Sequence, residues 1–150
     1  MRILALAALA LALPPTALSA GRAAPNPCRL LTTPMASAAL GAPAKPYPST
    51  SRSRAKHCLY IAASGRLDLE IGARAEYVKA SSDTSPPGTV IKNLSFGENG
   101  GLVYAPSGGH RHISLAAFEL GSYYYSVYSE QLTPKKISAL AKLVYDELPH

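Results

Sequence analysis

The stretch "CLYIAASGRLDLEIG", residues 58–72, decides the fold. Leu67, Leu69 and Ile71 alternate with Asp68 and Glu70, which is the period of a strand with one apolar and one polar face. The apolar run before them is set off by the turn signal Ser64-Gly65, so the stretch reads as a β-hairpin with one buried face. A one-sided sheet needs a cover, and the end of the chain supplies one. In "TPKKISALAKLVYDELPH", 133–150, Thr133 caps, Pro134 opens the first turn, and Ile137, Leu140, Ala141, Val144 and Leu148 recur at helical spacing.

Between these two signals, "HRHISLAAFELGSYYYSVYS", 110–129, reads as a second hairpin turning near Leu120 to Ser122, with a middle strand at 101–105. Upstream, "TTPMASAALG", 32–41, reads as a short helix that starts at Thr32 or Thr33 and stops at Gly41. The segments 42–56, "APAKPYPSTSRSRAK", and 79–89, "KASSDTSPPGT", carry the Pro, Ser and Gly of irregular loops. The expectation is an α+β domain: an antiparallel sheet of two hairpins plus a middle strand, packed by a short N-terminal and a C-terminal helix.

Cys58 opens the first hairpin, and the chain's other cysteine is Cys28. The N-terminus explains why they should meet. "MRILALAALALALPPTALSA", 1–20, has one basic residue, an unbroken apolar run of 11 residues from Ile3 to Leu13, then proline and small residues. That is a secretory signal peptide, too short for the roughly 20 residues of a membrane-spanning helix. Cleavage after Ser19, Ala20 or Ala23 leaves a single domain over 21–150, periplasmic or secreted. Cys28 follows "APNP" well beyond the apolar run, so it is not placed as a lipidation cysteine. An even pair in an oxidising compartment is expected to bond, which makes Cys28 and Cys58 a disulfide.

Charge is divided along the chain. Residues 1–67 hold eight bases and no acid, whereas 68–150 hold nine acids and seven bases. The basic front points to acidic partners, either a protein or an anionic component of the cell envelope. Nucleic acid is not expected, because only Tyr47 interleaves the basic run and export separates the chain from cellular nucleic acid. In "YYYSVY", 123–128, Tyr123, Tyr125 and Val127 share one strand face, and Tyr124, Ser126 and Tyr128 share the other. One set is expected to show its rings to solvent or a partner. The partner-binding expectation therefore joins Arg52, Arg54 and Lys56, for attraction, to Tyr124 and Tyr128, for contact.

The order "PCRLLT…ALG", a polar loop to "CLY", strands, and a helix reading "LAKLVYDEL" resembles the small bacterial envelope domains numbered 3558 in the domain-of-unknown-function series. The resemblance spans most of residues 26–148 and implies an envelope location and a paired-cysteine framework, with no catalytic residue. Two features depart from that pattern. This chain lacks the lipidation cysteine, and "NLSFGENGG", 93–101, replaces a compact glycine-acidic-alanine turn.

Catalytic and metal motifs are thin. His110 and His112 share a strand face but need a third ligand, available only from His57, His150 or scattered carboxylates, so no metal or other cofactor is expected. "SRAK", Ser53 to Lys56, has the Ser-x-x-Lys spacing of penicillin-interacting enzymes without their partner motifs. No nucleophile elbow or phosphate loop is present. Asp68, Glu70 and Glu119 are the carboxylates from which a glycosidase pair would be drawn, although carboxylates alternating with Leu and Ile also describe a strand's solvent face. The functional expectation is an exported, non-enzymatic binding or accessory module of the bacterial cell envelope, monomeric or weakly associating. The alternatives are an inhibitor or immunity protein against a secreted enzyme, and a small hydrolase of envelope glycan or peptide.

Overall fold

The computed structural model describes residues 23–47, 54–75, 89–105 and 113–150. The expected signal peptide, all but the last residue of the loop at 79–89, Arg52, Ser53, His110 and His112 lie outside these residues. The described chain runs α1 (Pro27–Leu30), α2 (Thr33–Leu40), β1 (Lys45–Tyr47), β2 (Lys56–Ala62), β3 (Gly65–Ala73), β4 (Val90–Asn93), β5 (Glu98–Ala105), β6 (Ile113–Leu120), β7 (Tyr123–Ser129) and α3 (Pro134–Asp146). The class is α+β, and all seven strands join one antiparallel sheet in the order β1-β2-β3-β7-β6-β5-β4. The sheet is two meanders, β1–β3 and β4–β7, meeting at the β3/β7 seam.

The start of α3 and the end of α2 have local causes. At α3 the Thr133 hydroxyl accepts from the Lys136 amide and Pro134 occupies the first turn. There proline's fixed φ fits the helix and its missing N–H costs nothing. Gly41 closes α2 in the left-handed region, at φ 69°, which glycine enters without a Cβ penalty. The three described helices cover the same face of the sheet: α1 and α2 lie on β2 and β3, and α3 lies on β5, β6 and β7. Under them Leu67, Leu69, Ile71, Ala116, Phe118, Tyr125 and Val127 form the core with Ile137, Leu140, Ala141 and Val144 of α3. Burying one such Val, Leu or Ile side chain is worth roughly 1.5–3 kcal/mol.

The N-terminal segment is fastened at several points. Cys28 and Cys58 are bonded. The buried Tyr60 hydroxyl donates to the Leu31 carbonyl at 2.7 Å, and Ser64 Oγ donates to the Leu40 carbonyl at 2.7 Å. Leu31 and Ala36 are fully buried beneath this clasp.

Two strands depart from the sequence reading. β1 lies inside the segment read as an irregular loop, because Lys45 and Pro46 are what a blunted edge strand carries. β4 adds a seventh strand at the other edge. No helix of the described residues is long and apolar enough to cross a membrane.

Candidate functional site

Alternation on β3 sends Leu67, Leu69 and Ile71 toward the helices and leaves Arg66, Asp68, Glu70 and Gly72 on the opposite face. No helix among the described residues packs on that second face, and the register carries its side chains into cross-strand rows. One row crosses every strand: Tyr47, Leu59, Asp68, Tyr128, Leu115, Val103 and Ile91. It is apolar at both ends and polar at the seam. Five large hydrophobic side chains are exposed among the described residues: Tyr47 (56%), Ile61 (43%), Ile91 (64%), Ile113 (43%) and Leu143. The first four lie on strands, and pairing puts all four on this face.

The seam is a built polar structure. Glu119, only 2% exposed, pairs with Arg74 Nε at 2.7 Å and accepts from Asn99 Nδ2 at 2.8 Å. Arg74 also reaches Glu98 at 2.8 Å. A β-bulge between Glu98 and Gly101 carries Asn99, at φ 48°, in the left-handed region. This is the kind of irregularity that re-aims a side chain. Next to it, Gly72 lies opposite Tyr124. Because Gly72 has no Cβ, the Tyr124 ring folds flat across it, and its hydroxyl donates to Glu70. Further along, His57 meets Asp68 at 3.4 Å. Burial pushes the Asp68 carboxyl above its ordinary value, against the lowering effect of His57. Tyr128 donates to Glu130 at 3.0 Å with the Arg66 guanidinium over its ring, and burial raises its hydroxyl's pKa.

Of the bases and tyrosines expected to form a partner patch, Arg52 lies outside the described residues, and Lys56 and Tyr124 lie on opposite faces of the sheet. Tyr124 is 7% exposed, since glycine at 72 lets the ring lie down on the sheet, and Tyr128 is half-buried. Lys56 pairs with Ile71 and therefore faces the helix side, opposite both tyrosines, where its Nζ donates to the Ala24 carbonyl at 2.7 Å. Arg54 is exposed just before β2. Thus Tyr124 does not present its ring as a contact, and Lys56 does not stand beside the tyrosines.

The chemistry-bearing residues are likewise drawn into the framework. Glu119 is committed to Arg74 and Asn99, which leaves Asp68 and Glu70 as the neighbouring carboxylates on one strand. Lys56, the lysine of the Ser-x-x-Lys spacing, is tied to Ala24. Among the described residues no group of three or more His, Cys, Asp or Glu side chains is arranged to hold a metal ion. What the sequence reading missed is the row of apolar side chains across the sheet, whose members are scattered from residue 47 to residue 128. A scan against protein-family models finds no match for this chain, and searches of curated proteins and of solved structures likewise find none.

Proposed function

We propose that the chain is an exported, non-enzymatic binding or accessory module of the bacterial cell envelope, and that it engages a protein through the helix-free face of its sheet. The observation that carries this reading is the collection of Tyr47, Ile61, Ile91 and Ile113 on one face. Exposed apolar residues scattered singly over a surface need no explanation, but their alignment on one face of a sheet is the pattern of an interaction surface. The disulfide and the apolar N-terminal run support export. The resemblance to envelope domains of unknown function agrees with the location and is part of the same proposal.

The test is a comparative pull-down from an envelope fraction. Protein carrying Ile61→Lys and Ile91→Lys should lose a partner that the native protein retains, while Arg54→Gln with Lys56→Gln should keep it. Identical captures by the native and the isoleucine variants would overturn the assignment of the face, and the partner's identity separates an inhibitor of a secreted enzyme from an accessory module.

The hydrolase reading has one observation in its favour: a carboxyl at Asp68 raised by burial, two residues from Glu70 on the same strand face. A carboxyl held protonated by burial is the raw material of general acid catalysis. Turnover of envelope glycan or peptide that is abolished by Asp68→Asn in a folded protein would favour it over the binding module.

A further inference from the structure

The two edges of the sheet are built differently. β1 has three residues, and Pro46 has no N–H to offer an incoming strand. Proline, lysine and short length are the devices by which natural sheets refuse edge-to-edge pairing. β4, Val90–Asn93, has no proline, and among the described residues it pairs with β5 alone. It also carries Ile91, at 64% the most exposed of the large hydrophobic residues described.

We propose that two copies of this chain associate through that edge, β4 against β4 in antiparallel fashion, about a two-fold axis at Ile91. A two-fold contact must be complementary to itself, and the four-residue strand sets isoleucine against isoleucine in one register. With Ile91 opposite Ile91 of the second copy, Val90 faces Lys92 and Lys92 faces Val90, so no like charges oppose each other. Shifting the axis to Lys92 would set two lysines directly opposite, a destabilising pair. Shifting it to Val90 would place Ile91 against Thr89 and lose the apolar contact. Lys92 is already drawn over the Tyr104 ring, 5.8 Å from its centroid, on the helix side. On the helix-free side, the run Leu115, Val103, Ile91 then continues into Ile91, Val103 and Leu115 of the second copy. Six strands at about 4.8 Å spacing make this an unbroken apolar stripe roughly 24 Å long.

A contact of four residues per copy buries far less than the roughly 1,200 Å² of a stable interface. The dimer is therefore reversible and forms at high concentration. Both native cysteines are bonded, so an introduced thiol is the free one. Ile91→Cys should form a disulfide-linked dimer under mild oxidation at least ~10-fold faster than Tyr47→Cys, an equally accessible thiol on the same face but at the other edge. In sedimentation velocity the native protein should gain mass as concentration rises to about 1 mM, and Ile91→Lys should not. Monomer mass throughout, equal cross-linking rates at the two thiols, or self-association undiminished in Ile91→Lys would each overturn the proposal.

Discussion

Gly72→Ala adds one methyl group at the sheet's seam, and its effect should change sign with the residue opposite. The new Cβ would lie 2.3 Å from Tyr124 Cε1 and 2.7 Å from the hydroxyl oxygen, well inside the 3.5–4.0 Å or so of an unstrained contact. Since those atoms are the far end of a side chain, the ring swings away and the backbone stays in place. The cost is then what the ring gives up, its hydrogen bond to Glu70, and a bond to a charged group is worth roughly 1.5–3 kcal/mol. Gly72 is not among the positive-φ glycines, so alanine fits the extended backbone and returns roughly 0.5–1 kcal/mol of entropy. The net destabilisation should be about 1–2 kcal/mol. In a Tyr124→Ala background the obstacle is gone, and the same Gly72→Ala should be neutral or stabilising by up to about 1 kcal/mol. Urea unfolding of the four proteins, with unchanged m-values, gives the coupling directly. An equal cost in both backgrounds, or no cost in the native one, would refute the account of how Tyr124 is buried.

Reduction of Cys28–Cys58 opens a loop with a sequence separation of 30 and should cost roughly 3–4 kcal/mol in urea unfolding with and without reductant; under about 1 kcal/mol would mean that the Leu31 clasp holds the segment unaided. Arg74→Met leaves the buried Glu119 carboxylate with Asn99 alone and should lose roughly 1–3 kcal/mol, clearly more than Glu119→Gln, and thermal unfolding in the reverse order would contradict the pairing. Asp68 is raised from 3.8 by burial, so the folded state favours its protonated form. Its contribution is full below the unfolded value and fades as pH rises through the folded one. Asp68→Asn should accordingly match the native protein at low pH and exceed its stability at neutral pH, with a constant difference across pH as the failing result.

Local patterns carried the class of the fold into the sequence. Period-two alternation, the even cysteine pair and the proline-opened helix gave an α+β domain with an antiparallel sheet and a Cys28–Cys58 bond, as the structure has it. Edge strands were illegible for a physical reason: β1 is protected by residues that also mark loops, and β4 is four residues long with no buried face. The burial of Tyr124 was illegible for another. Whether Tyr124 is exposed depends on the residue across the seam, and Gly72 stands opposite it through pairing of strands 52 positions apart. Strand alternation divides "YYYSVY" into two faces but does not say which of them meets a glycine. The charge asymmetry likewise carries no information on faces: Lys56 and the tyrosines belong to opposite ones once the register is set.

The β3/β7 seam is where the two meanders join, and it absorbs the polar residues that looked like candidate chemistry. Tyr124 binds Glu70 across it, Arg66 pairs with Glu130 at 3.2 Å, Ser129 donates to the Arg66 carbonyl at 2.8 Å, and Arg74 holds Glu119. Each joins the N-terminal meander to the C-terminal one or to the turn that follows it. Changing any of these residues tests folding and function together. The apolar side chains sit at the other extreme: Tyr47 and Ile61 on the first two strands, and Ile91 and Ile113 on the far side of the sheet, are exposed. Polar substitutions at exposed sites away from such bonds usually move stability by no more than about 0.5 kcal/mol. A surface that can be altered without loosening the fold is where binding can be tuned independently of stability. In this sheet the exposed apolar residues near its two ends meet that condition, whereas the bonded carboxylates and tyrosines of the seam do not.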